Sequence, residues 1–209
     1  MAGATGLVGR EVLAALLADN SYATVHCVGR RGLPIQHPKL VQHTVDFKAL
    51  PALPPVNDVF IALGTTIKVA GSQAAFRAVD FEAVVAVALA AKSSGATKLG
   101  VVSAMGADPK SSIFYNRTKG EMEEALASIG FDSLVIARPS MLAGDREALG
   151  QPARIGERFA LAVSTVLKPL IPANYRAIPA RDVAYALITA VKTGQPGVRR
   201  LLSGSMHAA

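Results

Sequence analysis

With 209 residues, 51% of them hydrophobic and 18% charged, the chain has the length of one domain over 1-209 and the composition of an ordinary globular α/β protein, which excludes a disordered polymer. The net charge of +7 is spread over both halves, with no basic run longer than Arg30-Arg31 or Arg199-Arg200 and no tryptophan, so no nucleic-acid surface is expected. Cys27 has no partner for a disulfide, and the longest charge-free apolar stretches, Ala83–Ala91 and Phe159–Leu167, are half of what spans a bilayer; a cytoplasmic protein without a membrane partner is the expectation.

The chain opens with Gly3-Ala4-Thr5-Gly6-Leu7-Val8-Gly9, three glycines directly ahead of a predicted helix over Val8–Ala18 whose Val8, Val12, Leu13, Leu16 and Leu17 share one face. Glycines permit a tight turn and close backbone approach, and the free N–H groups of a helix N-terminus attract a pyrophosphate. A bland glycine turn satisfies the same spacing. An open parallel sheet needs its central strand before such a turn, and only Met1 and Ala2 precede it. We therefore expect a sheet truncated at its first strand, leaving neighbours with unpaired backbone groups at about 1–3 kcal/mol each. About six apolar residues are expected upstream of Met1.

The next predicted strand, Thr24–Val28, buries Cys27 and ends in Gly29-Arg30-Arg31. In an NAD-binding βαβ unit an acidic residue here would hold a ribose 2′-hydroxyl; two arginines suit a 2′-phosphate, because the guanidinium fork matches phosphate geometry. The alternative is a solvated basic turn.

Further strands are predicted at Leu40–Val45, Val59–Leu63, Leu99–Ser103, Leu134–Ala137 and Arg200–Leu202, and helices at Ala74–Ser93, Tyr115–Ser128, Ile155–Leu167 and Arg181–Lys192. Apolar runs without polar alternation, separated by helices, describe a doubly wound parallel sheet of Rossmann type in three αβα layers. One stretch breaks the rhythm. Residues 144–179 gather Gly144, Gly150, Pro152, Pro169, Pro172 and Pro179 around one apolar helix and are expected to form a short substrate-covering segment. Its Phe159–Pro172 part could face a homodimer mate or protein partner, or be core or a pocket lid.

Tyr115 and Lys119 lie at i and i+4 on one helical face, and Ser103 ends the preceding strand. Strand C-terminal ends and helix N-termini meet at one crevice in such a sheet, so the three can converge. Tyr115 is then a general acid or base, Lys119 favours the phenolate by its charge and holds a nicotinamide ribose, and Ser103 orients a substrate carbonyl. As an isolated pair, Tyr-x-x-x-Lys also arises by chance on helices. No metal site is expected, since His26, His37, His43 and His207 lack ligand spacing.

Taken together, the Thr5-Gly6-Leu7-Val8-Gly9 turn and the Ser103, Tyr115, Lys119 set resemble an atypical short-chain dehydrogenase/reductase over nearly the whole length, from Gly3 to about Leu202. The strings Ala62-Leu63-Gly64-Thr65-Thr66-Ile67-Lys68, Ala75-Phe76-Arg77-Ala78-Val79-Asp80, Val101 to Ala107 and Phe114 to Glu121 look like the Tat-interacting oxidoreductase family. The resemblance implies that Leu63, Gly64 and Thr65 line the cofactor, that Asp46 and Phe47 lie beside the adenine, and that backbone around Pro139, Ser140 and Met141 meets the nicotinamide amide. Asp80 stands where many relatives have an Asn supporting a proton relay; it could equally be a helix-surface residue.

Three functions follow as expectations. The first is an NADPH-dependent oxidoreductase, with NADP(H) preferred over NAD(H), acting on a small carbonyl or related substrate. The second is a non-catalytic NADP(H)-binding sensor or protein-interaction module. The third is a nucleotide-sugar epimerase or dehydratase, disfavoured by the lack of length for a larger substrate domain.

Overall fold

The computed structural model describes residues 1–143 and 172–207. Among these residues, seven α-helices and eight strands follow in chain order: α1 (Leu7–Ala18), β1 (Val25–Gly29), β2 (Leu40–Thr44), β3 (Asp58–Ile61), α2 (Ile67–Ala70), α3 (Gln73–Arg77), α4 (Ala83–Ser93), β4 (Lys98–Val102), α5 (Phe114–Ser128), β5 (Ser133–Arg138), β6 (Leu142–Ala143), β7 (Ile178–Pro179), α6 (Ala180–Thr193), β8 (Gly197–Leu202) and α7 (Ser203–Met206). The predicted helix over Ile155–Leu167 lies outside the described residues, as does all of the covering segment except residues 172–179.

All pairings are parallel. β2 pairs with β1, and β3-β4-β5-β8 form a four-stranded sheet. Among the described residues, Ala2 alone bridges the two sets, pairing with Val28 on one side and Ile61 on the other. It donates to Phe60 O and accepts from Ala62 N, both at 2.9 Å, while Met1 O accepts from Val28 N at 2.9 Å. Ala2 thus occupies the central place expected of the first strand, and the full order is β2-β1-Ala2-β3-β4-β5-β8. Behind it, at the N-terminal ends of β1 and β3, lies a groove of about 700 Å³ lined by Met1, Tyr22, His26, Asp58 and Lys98 among others. This opening is far from the strand C-terminal ends where ligands bind in such sheets.

Alternate residues of the buried strands face two cores. Val135 and Ala137 of β5 join Val12, Leu16, Val183, Leu187 and Val191 beneath α1 and α6. Leu134 and Ile136 join Val84, Val87, Met122 and Leu126 beneath α4 and α5. Helices therefore cover both faces, giving the three-layer αβα arrangement. α6 can approach β4 closely because Gly100 has no side chain; a Cβ there would lie 2.8 Å from Val191 Cγ2.

The long helix predicted over Ala74–Ser93 is interrupted. Between α3 and α4 the residues Ala78–Glu82 form a π turn, closed by the N–H of Ala83 donating to Ala78 O. The last strand starts at Gly197 rather than Arg200, and its first four residues are exposed. An edge strand with so little burial carries no apolar pattern to read. The elements α2, β6, β7 and α7, of two to four residues each, are too short for a periodic signal.

Candidate functional site

Gly3 sits at φ +89°, and a Cβ there would lie 2.4 Å from the Ala62 carbonyl; a Cβ on Gly9 would lie 1.9 Å from Gly3 O. These two glycines are demanded by the fold itself, since α1 is pressed against the turn that precedes it. Gly6 differs. A Cβ there would meet its nearest protein atom at 3.5 Å, an ordinary contact, and Gly6 lines the open crevice. α1 has no side-chain cap and no acidic residue in its first turn, so its N–H groups are available to an anion.

The crevice, about 480 Å³, runs along the C-terminal ends of β3, β4 and β5. Gly6, Leu7 and Val8 line one part, Leu63, Gly64 and Thr65 another, and Ser103, Tyr115, Lys119, Pro139 and Ser140 the rest. A smaller neighbouring pocket continues it past Gly3, Thr5 and Leu63 to Arg30, Arg31 and Phe47. The structure thus brings the glycine turn, the two arginines and the Ser, Tyr and Lys set onto one continuous surface. Arg30 and Arg31 are exposed and form no ion pair with a described residue.

Three of the expected residues lie outside the lining of these two pockets. Asp46 does not line either pocket; its carboxylate accepts from Lys48 N at 3.0 Å and closes a local turn. Met141 also stays out of the lining, its carbonyl accepting from Ile178 N at 2.9 Å. Gly9 is absorbed in packing against Gly3, as above. Ser140 reaches the crevice but its hydroxyl is tied to Arg176 O and to Ser203 Oγ.

Asp80 is 1% exposed, which overturns the surface alternative. The extra residue in the π turn rotates it inward, a placement that recurs at functional sites. Its Oδ2 accepts from Thr65 N at 2.8 Å and its Oδ1 pairs with Lys119 Nζ at 2.7 Å. One carboxylate therefore ties the 64–65 loop to the lysine of α5. Tyr115 packs against Phe76 of α3, ring centroids 5.4 Å apart.

Ser103 gives its proton to Glu123 Oε1 at 2.7 Å. The same carboxylate accepts two bonds from Arg138, at 2.9 and 2.6 Å, and one from Arg200 at 3.2 Å. A hydroxyl has one proton, so Ser103 in this arrangement offers the crevice lone pairs rather than a donor. Glu123 was absent from the sequence expectations, although Tyr115, Lys119 and Glu123 at i, i+4 and i+8 share one face of α5, and that spacing was the available signal.

His26 Nδ1 and His43 Nε2 lie 3.0 Å apart on β1 and β2. No group of three or more metal-ligating side chains occurs among the described residues.

The chain is 33% identical over 207 residues to Protein HTATIP2 of Rattus norvegicus, covering 96% of this chain and 83% of that protein. It is 35% identical over 167 residues to Protein fmp52, mitochondrial, of Emericella nidulans, covering 75% of this chain and 71% of that protein. The chain belongs to the HTATIP2 and FMP52 family. Members of this family are atypical short-chain dehydrogenases/reductases with an NAD(P)-binding Rossmann fold. Solved structures agree on that fold: MoeE5 in complex with UDP-glucose and NAD superimposes with a TM-score of 0.71 at 18% identity over 96% of this chain and 73% of MoeE5. A short-chain dehydrogenase/reductase family oxidoreductase from Burkholderia thailandensis gives 0.67 at 16% identity over 98% and 91%. No protein-family model matches the chain. The family overturns the cytoplasmic expectation, since the FMP52 relatives of Emericella nidulans and Coccidioides immitis are mitochondrial by name. One unpaired cysteine indicates only a reducing environment, which more than one compartment supplies.

Proposed function

We propose that the chain is an NADP(H)-dependent oxidoreductase acting on a small carbonyl or related substrate, with Tyr115 as the proton donor. The observation that carries this reading is the single surface joining Arg30 and Arg31, the open N-terminus of α1, and the Tyr115 and Lys119 pair. The nicotinamide would supply the hydride. The chain's own part is to hold a pyrophosphate, a 2′-phosphate and a ribose and to move one proton. At α1 the free N–H groups of Leu7 and Val8 face the pyrophosphate, with room left by Gly6. The exposed guanidinium groups of Arg30 and Arg31 meet the 2′-phosphate, which NAD(H) lacks. Lys119 lies one helical turn from Tyr115 and is placed for the nicotinamide ribose.

Titrating the protein with NADPH and with NADH, followed by nicotinamide fluorescence, tests the reading. NADPH should bind at least tenfold more tightly, and a double Arg30→Ala, Arg31→Ala variant should remove that preference while leaving NADH affinity unchanged. Equal affinity for the two in the unaltered protein would sink the arginine assignment.

A second reading, an NADP(H)-binding module without turnover, is favoured by one observation: Ser103 and Lys119 are both held by internal carboxylates. Tyr115→Phe separates the two. An enzyme loses turnover with a panel of small aldehydes and ketones and keeps NADPH affinity; a module shows no turnover in either form.

A further inference from the structure

Lys119 and Asp80 form a nearly dry ion pair. Their side chains are 4% and 1% exposed, and Nζ lies 2.7 Å from Oδ1. Asp80 is further fixed by Thr65 N at 2.8 Å. Gly64 keeps the space beside the pair open, for a Cβ there would lie 3.4 Å from Asp80 Oδ1 and 4.0 Å from Lys119 Nζ. The ammonium is thus matched by a full negative charge within hydrogen-bond distance.

Among the described residues, the other charges near Tyr115 are arranged separately from this pair. Arg77 of α3 is paired with Glu121 of α5, Arg117 bonds the neutral Ser111 carbonyl and keeps its charge, and Arg138 of β5 and Arg200 of β8 share the single carboxylate of Glu123. Among the described residues, the segments 62–66, 103–107 and 139–143 beside the crevice hold no titratable side chain. A phenol beside a lone ammonium loses its proton more readily; beside a neutralised pair it keeps it.

We infer that Asp80 is a positioning residue that holds Lys119 in place and opposes its charge beside Tyr115, which lines the same crevice. The inference rests on the oxidoreductase reading for its meaning.

The chain has four tyrosines, so tyrosine labelled with carbon-13 at Cζ gives four NMR signals, and the one missing in Tyr115→Phe is Tyr115. Its ionisation midpoint is read directly as pH rises, without cofactor or substrate. Asp80→Asn should lower that midpoint by about one to two pH units, since an unopposed ammonium nearby favours the phenolate. An unchanged or raised midpoint overturns the inference. Because Asp80→Asn leaves a buried ammonium unpaired and could unfold the chain, a second comparison uses Lys119→Gln against Lys119→Gln with Asp80→Asn, the latter removing both charges together. The double variant should ionise about one pH unit lower than the single one; equal midpoints overturn the inference. NADPH binding, followed by fluorescence on the same samples, tests the oxidoreductase reading and does not enter the comparison of midpoints.

Discussion

Glu123 accepts the hydroxyl proton of Ser103 at 2.7 Å while gripping Arg138 with both oxygens. The carboxylate is 2% exposed, Arg138 21% and Arg200 45%. Removing one member of a fully buried pair costs about 3–5 kcal/mol, because the other is left uncompensated. Arg138 retains some water, so Glu123→Leu should cost about 3 kcal/mol, at the lower end of that range. Arg200→Ala should cost under about 1 kcal/mol, since nearly half of its side chain is in solvent. Urea unfolding of the two variants checks the ranking, and equal losses would show that Glu123 contributes little by its burial.

The glycines of the first turn should separate folding from binding. Gly9→Ala places a Cβ 1.9 Å from Gly3 O, backbone against side chain with nothing flexible to yield, and should cost at least about 3 kcal/mol. Gly6→Ala meets nothing closer than 3.5 Å and should stay within about 1 kcal/mol of the parent. Yet it should weaken NADPH at least tenfold, because the methyl would fill space a pyrophosphate needs. Thermal denaturation beside fluorescence titration gives both numbers; a Gly6→Ala protein with undiminished NADPH affinity would mean the phosphates lie elsewhere.

Burial, with a smaller contribution from neighbouring His43, holds His26 below its ordinary value of 6.5. A base with a depressed folded value takes up a proton more readily when the chain unfolds. Its contribution to stability is therefore complete above 6.5 and is lost as pH falls from there through the lower folded value. Melting temperature should drop as pH is lowered below 6.5, and His26→Asn should flatten that drop. An unaltered slope would assign the acid sensitivity to other groups.

Much of the architecture was legible in the sequence because it rests on local pattern. The runs Thr24–Val28 and Leu134–Ala137 announce strands by composition, and α1 and α6 by period. Gly3 and Gly9 are written into the chain by steric need, and Tyr115 and Lys119 by helical spacing. What escaped depends on contacts distant along the chain or on irregular backbone. A π turn has no hydrophobic period of its own, so nothing local showed that Asp80 turns inward. Glu123 reads as one of several charges on α5, and it is Arg138 and Arg200, 15 and 77 residues further on, that make its burial tolerable. Asp46 was placed through family likeness alone, and the local turn it closes with Lys48 has no hydrophobic pattern to announce it.

β1 and β2, which carry Arg30, Arg31 and Phe47 just beyond their C-terminal ends, pack against the four-stranded sheet through both cores, Val25 and Cys27 on one face and Val28 on the other. A dinucleotide lying from Arg31 to Lys119 would touch the β1–β2 ribbon and the four-stranded sheet at once. Saturating NADPH should then slow amide exchange at the C-terminal ends of β1 and β3 together, a footprint spanning the sheet rather than one loop.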